Sequence, residues 1–142
     1  MRLLHTMIRV GDLDRSIQFY TETLGMELLR KNDYPDGKFT LAFLGYGPES
    51  ESCVLELTHN WDPDPQPLNG GRNFGHLAYS VENIYATCQR LVDGGVTINR
   101  PPRDGYMAFV RSPDNVSVEI LQQGQPLAQE DPWKSMPNTG EW

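Results

Sequence analysis

Hydrophobic and polar positions along the chain follow one pattern twice. Near the start, Leu4, Thr6, Ile8 and Val10 alternate with His5, Met7 and Arg9, the period of two of a strand with one apolar face. The period then lengthens. Leu13, Ile17, Tyr20 and Leu24 recur at i, i+4, i+7 and i+11, predicting a helix with Asp12 as N-cap and Gly25 as its stop. Strand-like runs follow at 39–44 and 53–58. The cycle then restarts: Val81 and Ile84 stand five and eight residues beyond His76, as Val10 and Leu13 stand beyond His5. Leu77, Tyr79 and Val81 alternate with His76, Ala78 and Ser80. Ile84, Cys88 and Leu91 repeat the helical spacing, closed by Gly94 and Gly95, and the runs Met107–Arg111 and Ser117–Gln122 complete the half. An Ala-Phe pair recurs as Ala42-Phe43 and Ala108-Phe109. Each half ends on a carboxylate inside an apolar strand, Glu56 and Glu119.

The organisation is strand, helix, then two or three strands, performed twice, which is an α+β pattern. The boundaries read as a first module at 1–60, a linker dense in Pro, Gly and Asn at 61–74, a second module at 75–123 and an irregular tail at 124–142. A half of about 60 residues buries a poor core alone, so the modules are expected to pair, within a chain or between chains. The tail carries Trp133 and Trp142 as its large anchors and is expected to pack on a dimer surface.

Composition narrows the function. A net charge of −7 excludes wrapping of nucleic acid or of an anionic membrane, which needs a basic surface. No apolar run approaches the roughly 20 residues of a membrane-spanning helix. The opening Met-Arg-Leu-Leu-His lacks the long apolar stretch of a signal peptide, and Cys53 and Cys88 are too few for a disulfide framework. The expectation is a cytoplasmic protein with free thiols.

The repeat aligns His5 with His76 and Glu56 with Glu119. Leu55 and Leu57 flank Glu56, and Val118 and Ile120 flank Glu119, so each carboxylate needs a partner if its strand is buried. Taken singly, each of the four reads as a structural histidine or a solvent-facing strand residue. At equivalent repeat positions, two imidazoles and two carboxylates form an N2O2 set suited to a divalent ion. Arg9 lies four residues beyond His5, and Asn60 four beyond Glu56, each on its own strand face. Four strand residues span roughly 13 Å, and arginine suits a carboxylate, so the pattern fits an elongated anionic ligand with its reacting end at the metal.

These stretches resemble the glyoxalase I family of the vicinal oxygen chelate superfamily. The resemblance runs to about residue 122. It rests on Leu-His-Thr-Met-Ile-Arg-Val-Gly-Asp-Leu (4–13), Leu-Gly-Met-Glu-Leu-Leu (24–29), Ala-Phe-Leu-Gly-Tyr-Gly (42–47), Leu-Glu-Leu-Thr-His-Asn-Trp (55–61), Phe-Gly-His-Leu-Ala (74–78) and Ser-Pro-Asp-Asn-Val-Ser-Val-Glu-Ile-Leu (112–121). It implies two paired βαβββ modules, the glyoxalase/bleomycin-resistance/dioxygenase-like fold, in a homodimer with active sites between chains. By resemblance His5 and Glu56 ligate one divalent metal from one chain, with His76 and Glu119 from the other. Nickel or cobalt is preferred by the shorter bacterial forms, with zinc the alternative. Arg9, Asn60 and Arg72 match the anchors for the γ-glutamyl end of glutathione; Arg100 and the Gly105 backbone match the glycyl end. The implied reaction is isomerisation of the methylglyoxal–glutathione hemithioacetal through an enediolate, with Glu119 as base and Glu56 serving the opposite epimer.

Three departures stand out. His59 precedes Asn60 where the family often has an aromatic or another polar residue, and it reads as a loop residue. Pro-Asp-Asn-Val replaces Pro-Asp-Gly-Tyr, a turn that Asn115 preserves because asparagine tolerates positive φ. The loop at 103–107 is short. Alternative readings are a metal-free binding protein of the bleomycin-resistance kind and another enzyme of the superfamily, such as an extradiol dioxygenase or an epimerase. The four-ligand set and the Arg9–Asn60 anchors count against both.

Overall fold

The computed structural model describes residues 2–64, 66–68, 71 and 74–142. The chain divides into two compact units, Met1–Asn69 and Gly70–Trp142. Arg72 falls outside the described residues.

In the first unit the alternating run forms β1 (His5–Arg9), and the 3.6-residue period forms α1 (Leu13–Gln18). Asp12 caps α1 by accepting a hydrogen bond from the Arg15 backbone N–H at 3.0 Å. The expected single helix to Leu24 changes form at Phe19: residues Phe19–Thr23 are a π-helical turn. Two bonds accompany the widening, Thr21 Oγ1 donating to the Ile17 carbonyl at 2.8 Å and Leu24 N–H reaching back five residues to Phe19 O. β2 (Glu27–Tyr34), β3 (Phe39–Gly45) and β4 (Val54–Asn60) follow. His59 therefore lies in a strand, opposite Thr40, and not in a loop. The sheet order is β1-β4-β3-β2, with β1 parallel to β4 and the other pairs antiparallel. Leu13, Phe19, Tyr20 and Leu24 are buried with Ile8, Val10, Leu55 and Leu57, and the helix lies against β4. Burying each such side chain is worth about 1.5–3 kcal/mol.

The second unit repeats the plan with β5 (Leu77–Val81), α2 (Ile84–Asp93), β6 (Ile98–Arg100), β7 (Met107–Arg111) and β8 (Ser117–Gln122), in the order β5-β8-β7-β6. His76 sits one residue ahead of β5 and not within it. Asn83 caps α2, and Gly95, at φ +79, turns the chain beyond it. Ile84, Cys88 and Leu91 are fully buried, as are Ala108, Val110, Val118 and Ile120, and α2 lies against β6, β7 and β8. Burial pushes the Cys88 thiol up to about 12, leaving it inert, and both cysteines are free. Asn115 holds φ +63 in the turn before β8, as its sequence allows.

The tail docks on its own unit. Trp133 is only 4% exposed. Tyr85 Oη donates to Ala128 O, Arg103 to Met136 O, and Leu127 N–H to Gly105 O. Thr139 and Asn99 exchange two bonds, at 2.9 and 2.8 Å, along β6, the edge strand. Gly105 has φ +71, and a Cβ there would stand 2.1 Å from the Leu127 carbonyl oxygen. Gly105→Ala is expected to destabilise the second unit by roughly 2–4 kcal/mol through that clash and the positive φ; a thermal melt of the variant matching the parent would contradict the close approach.

Candidate metal centre

The face of each sheet opposite its helix carries a His–Glu pair, and the two pairs are built alike. Parallel pairing sets Met7 beside Glu56 and Ala78 beside Glu119, so in each unit the histidine lies two residues ahead of the glutamate's row, on the same face. His5 Nε2 is 3.1 Å from Glu56 Oε2, and His76 Nε2 is 3.1 Å from Glu119 Oε2. The imidazoles are 45% and 43% exposed, the carboxylates 13% and 14%, so the open side of each pair is the histidine side.

An aromatic ring braces each imidazole. Phe43 pairs with Glu56 across the sheet and Phe109 with Glu119. The His5 and Phe43 rings meet edge to face at 6.0 Å and 82°; His76 and Phe109 do so at 5.5 Å and 86°. Such contacts contribute about 0.5–1.5 kcal/mol and restrict the ring's orientation. The repeated Ala-Phe pair was the signal of this role in the sequence. Its alternation buries the alanine under the helix and turns the phenylalanine to the site.

The next residue in each row is an arginine, Arg30 beside Phe43 and Arg100 beside Phe109, each just past a strand irregularity. Arg30 lies over the Phe43 ring, 3.3 Å from its centroid, and pairs with Glu49 through bonds of 2.6 and 3.2 Å. That hydrogen bond raises the Arg30 pKa and holds the Glu49 carboxyl below its usual range. Arg100 is turned otherwise. It donates to the Met107 carbonyl and, at 2.8 Å, to Asp104 Oδ2. Both backbone groups of Gly105 are also engaged, its N–H with Pro102 O and its carbonyl with Leu127 N–H.

Arg9 and Asn60 lie four residues beyond His5 and Glu56, respectively, on adjacent strands, at the far end of the same face. Arg9 is exposed; Asn60 Nδ2 donates to Asp64 Oδ1 at 3.3 Å. His59 Nδ1 lies 3.2 Å from Val10 O, on the strand's other side from Asn60.

The donor chemistry suits a divalent ion. Two donors bound about 2.1 Å from one ion at right angles stand about 3.0 Å apart, close to the His–Glu separation in each unit. A direct hydrogen bond accounts equally for that distance. Among the described residues no three His, Cys, Asp or Glu side chains gather into one group, so each unit offers two donors.

Residues 2–120 match the family model of the glyoxalase/bleomycin resistance protein/dioxygenase superfamily. The chain is 56% identical over 127 residues to the probable lactoylglutathione lyase of Synechocystis sp., covering 86% of this chain and 95% of that one. It is 48% identical over 128 residues to the lactoylglutathione lyase of Escherichia coli O157:H7, covering 87% and 93%. Among solved structures, the trypanothione-dependent glyoxalase I of Leishmania major superposes with a TM-score of 0.80 at 49% identity, over 87% of each chain.

Asp104 offers a pH test of the scaffold under the second half-site. Burial pushes its carboxyl up, but the Arg100 guanidinium and the backbone N–H groups of Met107 and Tyr106 outweigh it and hold it below its ordinary 3.8. A folded-state value below the unfolded one stabilises above the unfolded value and is lost as pH falls through the folded value. Asp104→Asn is therefore expected to lower the melting temperature at pH 7 and to converge on the parent below pH 3.8. A difference that held constant between pH 7 and pH 3 would contradict the ionic origin.

Proposed function

The chain belongs to the glyoxalase/bleomycin resistance protein/dioxygenase superfamily, and on that premise we propose that it is a lactoylglutathione lyase, isomerising the methylglyoxal–glutathione hemithioacetal to S-lactoylglutathione. The observation that carries this reading is the duplicated His–Glu pair, at one register and one separation in both units, in a chain whose relatives at 48% and 56% identity bear that enzyme's name. Among the described residues no helix is long and apolar enough to cross a membrane. The cytoplasm is the compartment we assign, on the two free cysteines.

His5 and Glu56 of one chain, with His76 and Glu119 of a second copy, complete a four-donor site in a homodimer. Nickel or cobalt is the metal we favour, with zinc the alternative. When bound, the ion supplies Lewis acidity that stabilises the charge of the enediolate. Arg9 and Asn60 hold the γ-glutamyl end of glutathione roughly 13 Å away, a spacing the strand rise provides, and Arg72 joins them. Arg100 faces the glycyl end, although Asp104 and the Met107 carbonyl already hold its guanidinium.

Glu119 takes the proton from C1 of the hemithioacetal and returns it to C2, a transfer that needs one base within reach of both carbons. A difference between the halves supports Glu119 over Glu56. Thr58 Oγ1 donates to Glu56 Oε1 in a long bond of 3.4 Å. The equivalent position beyond Glu119 is Leu121, which has no hydroxyl to restrain the carboxylate. Glu119 is freer to swing toward the substrate, and Glu56 serves the opposite epimer.

Turnover of preformed hemithioacetal by metal-stripped protein, refilled separately with nickel, cobalt, zinc or manganese and followed at the thioester absorbance, tests this reading. Activity is expected only after refilling, and Glu119→Gln is expected to cost about 10²- to 10⁴-fold in kcat while still binding metal. Tight metal binding without thioester formation would move the chain to another reaction of its superfamily, and substantial turnover by the glutamine variant would remove the base assignment.

A further inference from the structure

The two half-sites share their ligands and their bracing phenylalanines but differ in what lies over the ring. Over Phe43 it is Arg30. In the second unit Arg100, at the equivalent place in the row, is drawn aside by Asp104 and the Met107 carbonyl, and the aromatic neighbour of Phe109 is Trp142. The rings of Phe109 and Trp142 are 6.3 Å apart and tilted by 35°. This contact comes from the tail, which lies beyond residue 120, where the superfamily match ends.

The tail's route places Trp142 on the site side of the sheet. Thr139 is bonded to Asn99 at the β6 edge. Two residues later the Glu141 carbonyl accepts from Arg111 Nε at 3.3 Å. Arg111 alternates with the buried Ala108 and Val110 and so projects from the same face as Phe109. The tail thus passes from the edge onto the open face and sets an indole, 40% exposed, next to the phenylalanine that abuts His76.

We propose that Trp142 is a specificity-determining residue: with Phe109 it forms an apolar wall beside the His76–Glu119 half-site, against which the variable carbon substituent of the α-oxoaldehyde packs. The proposal rests on the lyase reading above. On that reading the glutathione part is held by Arg9 and Asn60 of the first unit, whereas the aldehyde's substituent is carried by the reacting carbons and lies near the ligands. An indole with one side free gives an aromatic substituent more contact than a methyl group. The chain should therefore favour aryl over methyl substrates to a degree that depends on Trp142.

The test compares kcat/KM for the glutathione hemithioacetals of phenylglyoxal and methylglyoxal in the parent, Trp142→Ala and Trp142→Phe. Trp142→Ala is expected to lower the phenyl-to-methyl ratio roughly five- to tenfold, the loss falling mainly on the phenylglyoxal value, and Trp142→Phe to keep most of the ratio. Calorimetric dissociation constants for S-benzylglutathione and S-methylglutathione give a readout independent of turnover. Trp142→Ala should weaken the benzyl compound alone. An unchanged ratio, or one that rises because the indole had been a barrier, would overturn the proposal. A parent that turns over neither aldehyde would instead overturn the lyase reading, while the two inhibitors would still report on the wall.

Discussion

The constraint on which the rest depends is the register of two parallel strand pairs. Parallel pairing of β1 with β4 and of β5 with β8 puts each histidine two residues ahead of its glutamate's row, on the same face. A slip of one residue in either pair would carry the glutamate beneath the helix, where Leu57 and Ile120 are fully buried and an unpaired carboxylate would be costly. Burial of the flanking leucines, valine and isoleucine therefore both folds each unit and aims its histidine and glutamate at each other. The phenylalanine on the third strand follows from the same alternation and fills the space behind each imidazole.

Within that shared frame the halves have diverged in ways that bear on chemistry. Thr58 restrains Glu56, and Leu121 leaves Glu119 without an equivalent bond. Arg30 is committed to Phe43 and Glu49, a charged cover over the first ring. In the second unit Asp104 gathers Arg100 and the backbone of the 104–107 turn, and the tail supplies an aromatic cover instead. One half is polar and tethered; the other is apolar over its ring and has the freer carboxylate. A substrate with one charged end and one carbon substituent matches that division.

Much of this was legible in the sequence because it is written in short-range periodicity. The alternation around His5 and Glu56, the helical spacing from Leu13, the Asp12 cap and the Asn115 turn all depend on neighbours within a few residues. The superfamily followed from several such stretches together. Less legible were features set at longer range. The π-helical turn at Phe19–Thr23 forms in a segment whose apolar spacing still reads as helix. β2 is exposed along nearly all its length and β6 is only three residues, so neither carries a strong pattern. His59 read as loop, yet pairing with Thr40 extends β4 through it. The tail has no periodicity, and its docking depends on Asn99, Arg103, Arg111 and the bare backbone at Gly105, none of which advertises a partner in the sequence.

The central claim is that two His–Glu pairs act together as one metal site. Its most direct test is the number of divalent ions that bind tightly to metal-stripped protein, measured by equilibrium dialysis with nickel at protein concentrations well above the dissociation constant. In a homodimer whose two sites each draw one pair from either chain, the expected count is one ion per chain, and His5→Ala or His76→Ala alone should abolish tight binding. Two ions per chain, with each variant losing only one, would show that each pair binds its own metal and would contradict the account.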